Sequence, residues 1–224
     1  MTNAGQSARK RVFLVDDHPL VREWLTNLIN QQTDLVVCGE AESAPQAQAA
    51  ITRLQPEVAI VDLSLMNSSG LELIKDLNAA CPGVAVLVFS MHDESLYAER
   101  ALRAGARGYI MKRETTHNVI AAIRQVLAGK PYISEKVAAA LAAQFVASRT
   151  PSRGSPVEQL SDRELAVFEL LGQGRGTRQI AEALRLSVKT VQTYCARIKE
   201  KLNVGSATEL IREAVRWQEN RQRD

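Results

Sequence analysis

The sequence predicts an α/β domain built on a doubly wound, five-stranded parallel sheet, followed by an all-α domain of four helices. Three observations carry this. Short β-branched runs alternate with helix-length segments through the first half of the 224 residues. The last third shows helical periodicity only. Between the two, residues 148–156 hold Pro151, Gly154 and Pro156 and read as a flexible linker.

The five runs are residues 11–15, 35–39, 58–63, 85–90 and 108–111. After the first, Pro19 suits a first helical position, and Val21, Trp24, Leu25 and Leu28 follow on one helical face. Gly70 opens another helix, with Leu71, Ile74 and Leu77 on its apolar face, and Val119, Ile123 and Val126 mark a fifth. Strands alternating with helices make a parallel sheet, whose ligand sites lie at the carboxyl ends of the strands. Gly129-Lys130-Pro131 ends the alternation, and the Ala-rich residues 136–146 predict a further helix. Ser161-Asp162-Arg163-Glu164 forms a capping box, with Leu160 and Leu165 as its hydrophobic staple. That helix stops among Gly172, Gly174 and Gly176. A short helix over 178–184, the turn Arg185-Leu186-Ser187, a long helix to Leu202 and a last one over about 206–217 complete the chain. The expected domains are 11–128 and 158–222, joined by a partly helical linker over 129–157.

No apolar run approaches the roughly 20 residues of a membrane span. The first ten residues are polar and lack a signal-peptide core. Cys38, Cys81 and Cys195 lie far apart and suit neither a zinc site nor a disulfide framework, and reduced thiols point to the cytoplasm. Residues 1–128 carry 12 Lys and Arg against 14 Asp and Glu, while 129–157 carry 4 against 1 and 158–224 carry 12 against 10. A polyanionic partner is therefore expected to meet the second half.

The strand-end rule brings chemistry together. The first strand ends in Asp16-Asp17, the third in Asp62, the fourth in Ser90, and the fifth leads into Lys112. Three carboxylates so placed repel one another unless a cation sits among them, and oxygen ligands favour Mg²⁺ or Mn²⁺. A carboxylate can also attack phosphorus and become an aspartyl phosphate. The metal and Lys112 would neutralise the phosphoryl oxygens, and Ser90 would donate a hydrogen bond to one.

In the second domain, Val191, Cys195, Ile198 and Leu202 make the buried stripe of the long helix. Its opposite face carries Lys189, Gln192, Thr193 and Ala196, with Arg197 at the margin. Gln reads adenine, Arg reads guanine, and Thr or Ala meets a thymine methyl. Lys199, Lys201 and Arg185 are expected at phosphates. The preceding helix and short turn supply the other arm of a helix-turn-helix.

Val-Asp-Asp-His, Val-Asp-Leu-Ser, Val-Phe-Ser-Met-His and Gly-Tyr-Ile-Met-Lys, in this order at these strand ends, resemble a response-regulator receiver of flavodoxin-like fold. The resemblance implies that Asp62 accepts a phosphoryl group from a histidine kinase. It implies that Asp17, Asp62 and the Ser64 carbonyl hold Mg²⁺ with Asp16 in support, and that Tyr109 is an aromatic switch. Leu-Ser-Asp-Arg-Glu, Ile180-Ala181, Thr190-Val191 and Ile198-Lys199-Glu200-Lys201-Leu202 resemble a LuxR-type DNA-binding domain. The pair resembles the NarL/FixJ regulators, which implies a DNA-binding transcription factor without enzymatic function and a homodimer on double-stranded promoter DNA. Lys189, Thr190, Gln192, Thr193, Arg197 and Lys201 are then its DNA contacts.

The departures are local. Met66-Asn67 stands where the family usually has Met-Pro; Gln192 follows Val191 and Tyr194 takes a His place; Thr177-Arg178-Gln179 replaces Asn-Lys before Glu-Ile-Ala. Fewer cations face the groove, so nonspecific affinity is expected to be modest. A phosphatase of the haloacid-dehalogenase type also uses a nucleophilic Asp after a strand, but wants a second Asp where Ser64 stands. A receiver acting as a protein-interaction switch, its helix-turn-helix no longer binding DNA, is the other alternative, and Gln192 and Tyr194 leave it open.

Overall fold

A computed structural model describes residues 8–65, 68–147 and 156–223. The chain divides into two compact units, residues 1–149 and 150–224. The Met66-Asn67 departure and residues 148–155 of the expected flexible linker lie outside the described residues.

The first unit alternates as expected. Its strands are β1 (Lys10–Val15), β2 (Leu35–Ala41), β3 (Val58–Val61), the short β4 (Ser64–Leu65) and β5 (Ser68–Ser69), β6 (Ala85–Ser90) and β7 (Gly108–Met111). Its helices are α1 (Pro19–Asn30), α2 (Ala44–Leu54), α3 (Gly70–Ala80), α4 (Glu94–Ala104), α5 (Thr116–Leu127) and α6 (Glu135–Ala147). The main sheet runs β2-β1-β3-β6-β7, all parallel. Strands covered by helices on both faces can be apolar throughout. Every residue of β3, β6 and β7 is accordingly buried. Leu25 and Ile29 of α1 join Val119, Ile123 and Val126 of α5 in one core against the sheet. The order reverses between β1 and β3, and the crevice at that reversal is where Asp16, Asp17 and Asp62 emerge.

Two features here were not expected. β4 and β5 pair antiparallel just beyond Asp62. Residues after 128 also do not leave the first unit. The Tyr132 main chain lies beside β7, accepting from the Tyr109 amide at 2.8 Å and donating to the Arg107 carbonyl at 3.1 Å. Helix α6 then packs on α4, with Val137 buried and the Ser134 hydroxyl donating to Glu94 at 2.9 Å. The partly helical linker thus belongs to the first unit up to Ala147.

The second unit holds α7 (Asp162–Gly172), α8 (Thr177–Ala183), α9 (Val188–Leu202) and α10 (Ala207–Arg223), preceded by a 3-10 turn, Pro156–Gln159. The capping box closes as expected: Ser161 accepts from the Glu164 amide, and Glu164 accepts from the Ser161 amide. Of the three glycines, Gly174, at φ +76°, ends α7. Gly172 serves packing instead, since a Cβ there would lie 2.7 Å from the Ala214 carbonyl of α10. Helix α10 continues well past Trp217, whose ring packs at 5.5 Å on Phe168. Its Leu210 and Ala214 are core, while Ile211 is 45% exposed. No helix among the described residues is long and apolar enough to cross a membrane.

Gly70 is a tight steric constraint at the crevice: a Cβ there would stand 2.1 Å from the Asp62 carbonyl oxygen and 2.6 Å from Leu63 Cα. Backbone cannot yield as a side-chain tip can, so Gly70→Ala is expected to cost about 1–3 kcal/mol or more through overpacking. Thermal unfolding checks this: an unshifted melting temperature would show that the Asp62-Leu63 backbone yields freely.

Candidate metal centre and nucleic-acid interface

In the first unit, β1 and β3 place their carboxylates by main-chain pairing. The Asp62 amide donates to the Val15 carbonyl at 2.8 Å, which fixes the end of β3 against the end of β1. Asp16 Oδ2 and Asp62 Oδ2 both face the Lys112 ammonium, at 2.6 and 2.8 Å. Burial disfavours the charge on Lys112. The Asp62 charge, hydrogen bonds to Asp16 and Asp62 and the Asp16 charge outweigh that and hold its pKa above the ordinary lysine value. Lys112 is therefore cationic at neutral pH.

Asp62 is 3% exposed, and its other oxygen, Oδ1, is buried without a hydrogen-bond partner. An unsatisfied buried carboxylate oxygen is costly and calls for a cation or a chemical role. Ligand atoms of Asp16, Asp17, His18 and Asp62 lie within 4.8 Å of one another. This donor set, mostly hard oxygen, fits Mg²⁺ or Mn²⁺. Ser64 lies two residues beyond Asp62 in β4, at the edge of the crevice.

Ser90 ends β6, fully buried, and its oxygen accepts the His92 amide at 3.4 Å. Tyr109 points inward, 1% exposed, and its hydroxyl donates to the His92 carbonyl at 2.9 Å. The His92 ring shares a 2.8 Å hydrogen bond with the Ser64 hydroxyl and packs at 4.5 Å on Tyr97. One histidine thus touches Ser64, Ser90 and Tyr109. The motifs that end in His92 and His18 give neither histidine a role of its own. His18 instead caps the crevice, with Nδ1 2.7 Å from Asp17 Oδ1 and its amide donating to Asp16 Oδ1 at 2.9 Å. Their available signal was position, since each follows a strand-end site residue and directly precedes a helix or its cap.

In the second unit, Ser187 caps α9 by accepting the Thr190 amide at 3.0 Å. Val191 and Ile198 are fully buried, so the phase of α9 is the expected one. Lys189, Gln192, Thr193, Ala196 and Arg197 are all exposed on the opposite face. Thr190 is half-buried, its hydroxyl bonded to Ser187 Oγ at 2.8 Å, so its polar atom faces the turn. Thr193 donates to the Lys189 carbonyl at 3.0 Å, which leaves its methyl for outward contact. Lys201 is bonded within its own domain. Its ammonium lies 2.6 Å from Glu164 Oε2 and 3.2 Å from the Gln159 carbonyl, both inside the domain. Helix phase is the reason: ten residues beyond Val191, Lys201 sits about 80° from the buried stripe rather than opposite it.

Comparison with known proteins is consistent across both units. Residues 12–124 match the response regulator receiver domain, and 158–214 match the bacterial regulatory proteins of the luxR family. The chain is 34% identical over 210 residues to the oxygen regulatory protein NreC of Staphylococcus carnosus, covering 92% of this chain and 97% of that one. Among solved structures, the response regulator ChrA of a heme-sensing two-component system is 30% identical, with 95% of this chain and 99% of that one covered and a TM-score of 0.51. A LuxR-family two-component response regulator from Aurantimonas is 32% identical, covering 62% of this chain and 99% of that one, with a TM-score of 0.57.

If the carboxylate cluster holds Mg²⁺, removing one anionic oxygen donor weakens it sharply. Asp17→Asn is expected to lower Mg²⁺ affinity by about tenfold or more, roughly 1.4 kcal/mol. Calorimetric titration of both proteins checks this, and equal affinities would remove Asp17 from the site.

Proposed function

The chain belongs to the NarL/FixJ family of two-component response regulators, DNA-binding transcription factors controlled by phosphorylation, and we propose that its phosphoacceptor is Asp62. The observation that carries this is the asymmetry of that carboxylate: Oδ2 is held by Lys112, while Oδ1 is buried and unsatisfied. The phosphodonor is a phosphohistidine of a partner histidine kinase.

The carboxylate attacks phosphorus, a P–O bond forms, the P–N bond breaks, and its electron pair leaves with the imidazole nitrogen. Asp17, Asp62 and the Ser64 carbonyl, with Asp16 in support, would hold a divalent cation, Mg²⁺ or Mn²⁺, which when bound would supply positive charge to the phosphoryl oxygens. Lys112 supplies a second, since its ammonium already stands at Asp62. Ser90 accepts from His92, which leaves its own O–H to donate to a phosphoryl oxygen. Because Tyr109 bonds the carbonyl of that same His92, movement of Ser90 is transmitted to the aromatic switch.

The output is α9 in the major groove of double-stranded promoter DNA. Gln192, Thr193 and Arg197 read bases, Lys189 holds phosphate, and Thr190 shapes the start of the helix. The exposed Ile211 of α10 supports a homodimer on an inverted-repeat site. A kinase-coupled promoter binder of this kind works in the cytoplasm.

Two outcomes test this reading. Incubated with acetyl phosphate and Mg²⁺, the wild type gains one phosphoryl group by intact mass, and Asp62→Asn gains none; an undiminished gain on the variant would displace Asp62. Gln192→Ala is expected to cost about 1–3 kcal/mol on a duplex selected by the wild type and far less on a scrambled one. Equal losses on both would mean that Gln192 reads no base.

A further inference from the structure

Glu164 is 3% exposed, and it is the one charged side chain so buried among the described residues of the second unit. A helix cap alone does not require this, because a glutamate at the third helical position can cap from the surface. Its Oε2 accepts from the Ser161 amide at 2.7 Å and from Lys201 Nζ at 2.6 Å. Lys201 also donates to the Gln159 carbonyl at 3.2 Å. One ammonium thus ties the last turn of α9 to the first turn of α7 and to the 3-10 turn before it.

The place of this tie matters. Val191 and Ile198 bury the first two-thirds of α9, but Leu202 at its end is only half-buried. Apolar contact is not directional and permits a helix to roll or slide, whereas a charge-assisted hydrogen bond fixes an atom to within a few tenths of an ångström. The bolt sits where the apolar seam thins out.

Building on the reading of α9 as the recognition helix, we propose that Glu164 is a positioning residue for DNA recognition, fixing the tilt of α9 through Lys201, which acts inside the domain and not on the DNA backbone. The charge state agrees. Burial alone would raise the Glu164 pKa, but the Lys201 hydrogen bond and those from Ser161 bring it below the ordinary value, so Glu164 is ionised at neutral pH.

The test uses the full chain and two duplexes, one selected from a random pool by the wild type and one scrambled. Affinity is measured across salt concentrations for the wild type, Glu164→Gln, Lys201→Met, the double variant, Lys201→Arg and Lys189→Ala. Glutamine keeps an acceptor for the cap and removes only the charge. Glu164→Gln and Lys201→Met are each expected to weaken selected-duplex binding about tenfold, leave the scrambled duplex nearly unaffected and keep the wild-type salt slope, while Lys189→Ala lowers that slope by about one unit. The double variant is expected to lose no more than either single one, and Lys201→Arg to keep most of the affinity. A general loss of folded protein would weaken both duplexes alike and overturn the proposal in favour of a purely structural bridge. A slope lowered by one in Lys201→Met, with Glu164→Gln silent, would make Lys201 a phosphate contact. Wild-type affinity in both variants would reduce Glu164 to a cap. Failure of the wild type to select any duplex would instead overturn the DNA-binding reading on which the proposal rests.

Discussion

The Lys112 ammonium is the charge on which the carboxylate crevice of the first unit depends. Parallel pairing of β1 with β3 brings Asp16, Asp17 and Asp62 to one crevice whatever their mutual repulsion. Lys112 arrives from the end of β7, two strands away from β3, and spans Asp16 and Asp62. Much of the surroundings holds those partners in place. His18 and Arg22 bond the side chain and carbonyl of Asp16, and Gly70 leaves room for the Asp62 main chain. A cationic side chain already at a buried carboxylate oxygen needs little reorganisation when an anion arrives there, which is the condition under which electrostatic stabilisation is strongest.

The two units treat buried charge in opposite ways. In the first, one carboxylate oxygen of Asp62 remains without a partner, and that imbalance is chemical potential for a reaction. In the second, Glu164 Oε2 is satisfied twice, by an amide and an ammonium, and the charge is spent on rigidity. Burial alone therefore does not distinguish a reactive acid from a framework acid; the count of satisfied lone pairs does.

The receiver was largely legible because its chemistry sits at strand ends, where apolar runs stop at a polar residue. Asp16, Asp62, Ser90 and Lys112 each follow this rule, and all five strands of the main sheet end within two residues of expectation at their carboxyl side. The phase of α9 was legible for the same kind of reason, since Val191 and Ile198 admit only one buried face. What stayed hidden depends on long sequence separations. Lys201 finds Glu164 across 37 residues, and Ser64 finds His92 across 28. Helix α6 was predicted but not its docking, because its Ala-rich sequence marks no distinct apolar face and its tie to Glu94 spans 40 residues.

By strand order β7 is the rim of the sheet, yet the Tyr132 main chain runs beside it and occupies groups that a rim strand normally leaves bare. Unsatisfied rim amides recruit strands from other molecules. The segment that leads toward the second unit therefore doubles as a guard against self-association of the first. A receiver excised at residue 128 would lose that guard, whereas one carried through Ala147 would keep it. The transferable module, for anyone joining this receiver to a different effector, ends after α6 and not after α5.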